Sequence, residues 1–336
     1  MSTITKPNRE FLFDNIRGIL ILLVVLGHAL EYFRLENKVG EFLYVFIYLF
    51  HMPVFIFISG YFSKNLEKGR RTAVETFLVP YLLLNLFLSV IMLAIGKTEE
   101  ILILSPGWTL WYLYCMFIWR LMLPDLVKIR YVLLLSFIVG IFSGFLTEFG
   151  TYMALARTLG FFPFFLAGYY ANSQLIKNLR RIHHSKLISV GIIIFAIATA
   201  FFWISHDIPP ELLWRDRAFN SFTIPLLQNL LTIIFLYGMG FAFVFVFITL
   251  ANNKLYWFTP WGQRTLAIYL LHIYLVAPLV QGTEYIENPV LQLIILIGGS
   301  LLILYLLSRP KVTTTLQKTL ARILHCIMPE KKGDSS

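Results

Sequence analysis

The sequence predicts an all-α membrane protein, a bundle of about 10 transmembrane helices with N- and C-termini cytoplasmic. Three observations carry that expectation. The chain is 58% hydrophobic and 14% charged, against about 25% charged in ordinary soluble domains, and its mean hydropathy is +0.74. Apolar runs of the roughly 20 residues needed to cross a bilayer recur along its whole length. Positive charge collects on alternate connections between those runs.

Taken in order, the runs occupy residues 12–32, 42–62, 76–96, 108–123, 131–147, 158–173, 187–205, 220–250, 263–281 and 288–307. The first is full length and lacks a small-residue cleavage site, so it reads as a retained span rather than a cleaved signal. The eighth is long enough to tilt or to project past the bilayer. No internal repeat and no separate soluble domain stands out. The expected organisation is a cytoplasmic tail at 1–10, one membrane domain at 11–307 and a basic cytoplasmic tail at 308–336. Within that tail, "LQKTLARILHCIM" sets Leu316, Leu320, Ile323, Leu324 and Ile327 on one face, beside Lys318 and Arg322. That pattern reads as an amphipathic helix lying on the inner leaflet.

Orientation follows from charge. With the N-terminus inside, most of the 28 Lys and Arg fall in the tails and inner loops, notably "KNLEKGRR" at 64–71 and "KNLRRIHHSK" at 177–186. The outer side receives Arg34, Lys38, Lys97, Arg157, Arg215 and Arg217, together with 11 of the 18 acidic residues. The net charge of +10 is therefore a topology signal, and nucleic acid is not an expected partner. Cys115 in an apolar span and Cys326 in the tail suggest neither a disulfide framework nor a metal cluster. No phosphate-binding loop or nucleotide fingerprint appears. The expected localisation is the cell membrane, as a multi-pass protein.

The stretch "FDNIRGILILLVVLGHAL" puts charged groups inside the first span. Arg17 and His28 are eleven positions apart, about three helical turns, so they share one face and differ by about 16 Å in height. Asp14, one turn before Arg17, is its natural partner. Placing an Arg in a span costs about 2.5–3.5 kcal/mol even on lenient scales, which favours a polar cavity or a working role. The structural alternative is that Arg17 snorkels to the inner headgroups and His28 bonds a neighbouring helix. His51 lies in the second span and His272 near the middle of the ninth. Three intramembrane histidines exceed what packing requires, and a neutral imidazole has the proton affinity a general base needs. No carboxylate pair in the spans supports a proton pump, and Ser59-Gly60 lacks a nucleophile-elbow context.

These residues resemble a known family. Asp14-x-x-Arg17-Gly18 followed by His28 is similar to the signature of the acyltransferase-3 superfamily of integral-membrane O-acyltransferases. "FHMPVFIFISGYF" at 50–62 resembles its fucose 4-O-acetylase-like branch. "FLVPYLLLN" at 77–85, "WTLWYLY" at 108–114, "RTLGFFPFFLAGYY" at 157–170 and "GQRTLAIYLLH" at 262–272 resemble later family segments in the same order. The chain resembles the stand-alone type, without the extracellular hydrolase-like domain that some members append.

The resemblance implies transfer of an acyl group, normally acetyl, from cytoplasmic acyl-CoA to a sugar hydroxyl of a bacterial surface or secreted glycan. Acetyl-CoA would be a co-substrate, with no metal. The acceptor would be a glycan or lipid-linked sugar, and self-association is left open. His28 would be the general base and Arg17 would stabilise donor or charge, fixed by Asp14, at two ends of one pore-like cavity. His51, Trp111 or Tyr112 would supply an oxyanion donor, and His272 joins the catalytic candidates. Arg70 and Arg71, with Ser59, would hold the CoA end, although topology alone asks for positive charge there. Arg157 reads either as a substrate contact or as a helix anchor. In "HDIPPELLWRDRAF" at 206–219, Trp214 would stack on a sugar, with Arg215 beside it; interfacial Trp and Arg are also ordinary anchors. The competing reading is a glycolipid or small-metabolite transporter or flippase. It expects paired halves and broken helices, neither of which the sequence displays.

Overall fold

The computed structural model describes residues 11–96, 98, 103–107, 109–146, 152–218, 222 and 224–327. The expected N-terminal tail 1–10, Lys97, Trp108, the side chain of Ile327 and the C-terminal stretch 328–336 lie outside the described residues.

The described residues form α-helices joined by short turns, with no strand among them. Six helical segments are long and apolar enough to cross a membrane: Leu12–Phe33, Lys38–Tyr61, Val74–Ala94, Ser185–Ser205, Leu226–Leu250 and Pro289–Leu307. A bent pair, Thr265–Leu271 with Ile273–Thr283, makes a seventh if taken as one span. The runs expected at 108–123, 131–147 and 158–173 are helical but short: Trp111–Leu126, Val132–Phe142 and Leu155–Tyr170. At about 1.5 Å per residue, 16 residues reach about 24 Å, less than the hydrocarbon thickness of about 30 Å.

In chain order we name α1 (Leu12–Phe33), α2 (Lys38–Tyr48), α3 (His51–Tyr61), α4 (Leu66–Arg71), α5 (Val79–Ala94), α6 (Trp111–Leu126), α7 (Val132–Phe142), α8 (Leu155–Tyr170), α9 (Ser173–Arg181) and α10 (Ser185–Ser205). There follow α11 (Leu226–Leu250), α12 (Thr259–Gln263), α13 (Thr265–Leu271), α14 (Ile273–Thr283), α15 (Pro289–Leu307) and α16 (Pro310–Ile327). Four of them start on asparagine. The side chains of Asn37, Asn65, Asn172 and Asn288 accept from the first free backbone N–H groups of α2, α4, α9 and α15, the capping role that suits a short amide. Pro289 then supplies a pre-set first helical residue for α15.

The chain divides into two compact units, each assembled from separated stretches. The first comprises Met1–Ser59, Tyr170–Leu213 and Phe235–Ser308. At its centre α1 packs against α2, α12, α13, α14 and α15, burying Ile16, Leu20, Ile21, Val24 and Val25. Side chains at i, i+3, i+4 and i+7 form that face. The start of α1 is fastened to the connection after α11. Asn253 Oδ1 accepts from Phe11 N at 2.5 Å and Leu12 N at 3.1 Å. Asn15 donates to Asn252 O at 2.8 Å and Lys254 O at 2.7 Å, and accepts from Thr259 Oγ1 at 2.6 Å. Gly262 is where α12 touches the α1 backbone, since a Cβ there would stand 1.7 Å from Asp14 O.

Two breaks shape the first unit. Between α2 and α3, Pro53 cannot donate and its ring crowds the carbonyl four residues back, at Leu49, so the helix opens over Leu49–Phe50. Between α13 and α14 the axis turns by 51° at His272. There the ring inserts into the hydrogen-bond ladder, a recognised cause of a sharp bend. Broken helices, which the apolar pattern did not display, are thus present.

The second unit comprises Gly60–Tyr169, Trp214–Ile234 and Arg309–Ser336. Here α6 packs against α4, α5 and the π-turn Val74–Leu78. Trp119, Phe164 and Phe165 are buried, and Trp119 Nε1 donates to Thr158 O at 2.9 Å. Gly60 lies against α8, where a Cβ would stand 1.9 Å from Phe165 O. On α16, Leu316, Leu320, Ile323 and Leu324 are half-buried while Lys318 and Arg322 are exposed, matching the expected two-faced tail helix.

Candidate active site

All three intramembrane histidines belong to the first unit, and both helix breaks fall on one of them. His51 is the first residue of α3. Its Nδ1–H donates to Ile47 O at 2.9 Å, closing the end of the α2 ladder that the break leaves open. His272 sits at the α13–α14 bend, and its Nδ1–H donates to Tyr269 O at 2.8 Å, with Ile268 O at 3.2 Å. Because a carbonyl only accepts, both rings carry their proton on Nδ1 when neutral and present Nε2 as an acceptor. His272 is fully buried, and its Nε2 has no hydrogen-bond partner among the described residues. A buried polar atom left without a partner costs about 1–3 kcal/mol, so it needs a reason.

His28 projects from α1 toward the same place. Its ring centroid lies 5.5 Å from that of His272. Its Nδ1 is 3.5 Å from Glu31 Oε2, one turn further along α1, and both side chains are only partly exposed (13% and 17%). A carboxylate beside an imidazole orients the ring. Glu31 escaped notice in the sequence, although its position three residues after His28 was the available signal.

At the other end of the pair, Arg17 Nη2 donates to Asp14 Oδ1 at 2.5 Å, and Gln263 Nε2 donates to Asp14 Oδ2 at 3.2 Å. Asp14 is buried and the Arg17 side chain retains 28% of its exposure. The carboxylate is held from two sides and in turn steers the guanidinium, as expected of Asp14. Sequence reasoning did not find Gln263, which comes from α12. About three helical turns separate Arg17 from His28, so the two cannot grip one atom; they suit two ends of an extended molecule.

The remaining candidates fall elsewhere. Ser59, in the first unit, donates from Oγ to Phe55 O in its own helix at 2.8 Å. Arg70 and Arg71 belong to the second unit. Arg70 Nε donates to Leu121 O at 3.0 Å, its Nη2 pairs with Asp125, and Arg71 is exposed. Hydrogen bonds from Lys128, then from Arg70, hold the Asp125 carboxyl below its ordinary range.

In the second unit Trp111 and Tyr112 are buried. Arg157 lies over the Trp111 ring at 4.9 Å, donates to Trp214 O at 3.0 Å and approaches Asp216 at 3.6 Å. Arg215 is the main departure from expectation. Read as part of an exposed polar loop, it is instead 6% exposed, donating to Gly160 O at 3.0 Å and reaching Gly140 O at 3.5 Å. Its backbone adopts a left-handed φ of 51°, and this turns the side chain inward. Asp14, Arg17, His28, His51 and His272 thus belong to the first unit, and Trp111, Tyr112, Arg157, Trp214 and Arg215 to the second.

Comparison with known proteins fits this picture. The nodulation protein NolL of Sinorhizobium fredii is 48% identical over 61 residues, 17% of this chain and 17% of that protein. The nodulation protein NolL of Mesorhizobium japonicum is 44% identical over 61 residues, 17% of this chain and 16% of that protein. The chain thus matches about a sixth of the length of these relatives. No solved structure matches it. A family model described as an acyltransferase domain matches residues 12–309, nearly the whole chain. That match includes the Arg17–His28 helix, and with it the chain belongs to the acyltransferase-3 family of multi-pass membrane acyltransferases.

Proposed function

We propose that this protein is an O-acyltransferase of the cell membrane that moves an acetyl group from cytoplasmic acetyl-CoA to a sugar hydroxyl of a bacterial surface or secreted glycan. The observation that carries the reading is the imidazole pair in the first unit: His28 beside Glu31, 5.5 Å from a buried His272 with an unpartnered Nε2. Buried acceptor nitrogens beside a carboxylate are what deprotonating a hydroxyl requires. The His28 imidazole takes the hydroxyl proton, and the freed oxygen attacks the thioester carbonyl. The tetrahedral intermediate then collapses to the ester, and the CoA thiolate leaves and regains the proton from the imidazolium. Arg17, steered by Asp14 and about three turns from His28, suits the anionic part of the donor. Arg70 and Arg71 remain further candidates for the CoA phosphates. Their observed partners are equally compatible with a role in packing and topology.

The transporter or flippase reading gains support from one observation, the helix breaks at Leu49–Phe50 and His272, because transporters build sites from discontinuous helices. Purified protein in liposomes separates the two. Labelled acetyl passing from acetyl-CoA to a glycan, abolished by His28→Ala, supports the enzyme. Movement of unmodified substrate, unaffected by His28→Ala, overturns it.

A further inference from the structure

A cavity of about 620 Å³ opens in the first unit at the end of α1 that carries His28. Its wall includes Tyr32 on the last turn of α1 and Glu36 just after it, Thr283, Glu284 and Glu287 at and after the end of α14, and Gln292 near the start of α15. We infer that this cavity is the acceptor site and that it takes a neutral or amino-bearing pyranoside in preference to an acidic sugar. The inference rests on the acyltransferase reading above and narrows its substrate class.

Position is the first argument. Tyr32 follows His28 by four residues on α1, one turn along the same stripe and about 6 Å higher. On the other helix Val276, Val280, Thr283 and Glu284 continue the stripe that begins at His272. Both helices thus run from the paired imidazoles directly into the cavity wall. At the foot of the second stripe is the buried, unpartnered His272 Nε2. Glu31, 3.5 Å from His28, lies one turn further along α1 toward the end that carries the cavity. The volume falls in the range of about 300–1,000 Å³ typical of small-ligand sites.

Chemistry is the second argument. Carboxylates accept from neighbouring sugar hydroxyls, an amide serves as donor and acceptor, and a tyrosine ring covers the C–H face of a pyranose. The wall holds Glu36, Glu284 and Glu287, and among the described residues neither Lys nor Arg contributes to it. The nearby cations are engaged in their own pairs: Arg34 with Glu211 at 2.9 Å and Lys38 with Glu41 at 2.9 Å. A pocket of one sign repels a like charge and attracts the opposite one. A uronic acid or phosphosugar is therefore disfavoured, and an ammonium group is accepted.

Three probes that share a ring test the idea: methyl glucoside, methyl glucosaminide and methyl glucuronide, which are neutral, cationic and anionic. Binding to the full chain in nanodiscs is read by saturation-transfer NMR, and acetyl transfer from acetyl-CoA is read in parallel. The expected order puts the glucuronide about tenfold or more behind the other two, a gap that closes to about threefold in Glu284→Gln/Glu287→Gln as like-charge repulsion is removed. A glucuronide that performs as well as the others, a ratio unchanged in the double variant, or no saturation transfer to any probe overturns the inference. Ordered binding without acetyl transfer keeps the site but sinks the acyltransferase reading. Transfer that treats the three probes alike does the reverse.

Discussion

Two clusters of charged and polar side chains lie within this apolar chain, and they differ in what they leave open. In the second unit, Arg215 is 6% exposed with its donors turned to Gly160 O and Gly140 O, while Arg157 lies over Trp111 and beside Asp216. That cluster spends its polarity on its own backbone and rings. In the first unit, His51 and His272 use Nδ1 for the backbone and turn the second nitrogen elsewhere, and His272 Nε2 meets nothing among the described residues. A buried charge that bonds backbone holds a fold together. A buried acceptor held in place with nothing to accept is prepared for a visitor.

The largest effect should come from the histidine cluster. His28→Ala is expected to lower acetyl transfer about 10³-fold, within the usual range for a lost general base, with the melting temperature in detergent unchanged. Melting that collapses along with activity would make His28 structural and erase the contrast. Arg215→Ala should do the opposite. Two carbonyls lose a buried donor at about 1–3 kcal/mol each, so thermal stability falls while turnover per folded molecule stays within about threefold, less than 1 kcal/mol of barrier. A hundredfold drop in turnover at intact stability would move Arg215 into the reaction.

The glycine contacts sharpen the comparison further. A Cβ at Gly262 would stand 1.7 Å from Asp14 O, and one at Gly60 1.9 Å from Phe165 O. Both Gly→Ala variants should therefore lose about 1–3 kcal/mol by overpacking. Only Gly262→Ala displaces the helix that presents Gln263 to Asp14, so it should also raise KM for acetyl-CoA; equal KM values in the two variants would count against a donor role for the Arg17 end. The smallest effect is expected from Ser59→Ala. Its hydroxyl bonds Phe55 O within its own helix, and stability and KM for acetyl-CoA should stay at the wild-type level.

The helices of this protein were legible because hydrocarbon leaves a chain few choices: each run of apolar residues must satisfy its own backbone, and each of the ten runs carries a helix among its described residues. How many runs cross the bilayer was less legible. α6 and α8 have the 16 residues expected of their runs, displaced by about three, and at about 1.5 Å per residue that length falls short of the hydrocarbon thickness. The segment 206–218 is a connection of turns as expected, but the outward placement expected of Arg215 failed. "WRDR" reads as polar and therefore outward, yet a left-handed turn at Arg215 and two waiting carbonyls draw the guanidinium in.

By itself the sequence determined the pairing of Asp14 with Arg17 and the placement of Arg17 and His28 along one face, because helical periodicity is a local property that eleven residues express in full. Only the tertiary structure decided that His272 comes to 5.5 Å from His28 and that Gln263 closes on Asp14. Those outcomes depend on which helix faces meet and which backbone a glycine lets near. They are settled by packing between segments more than two hundred residues apart, and no local pattern encodes that packing.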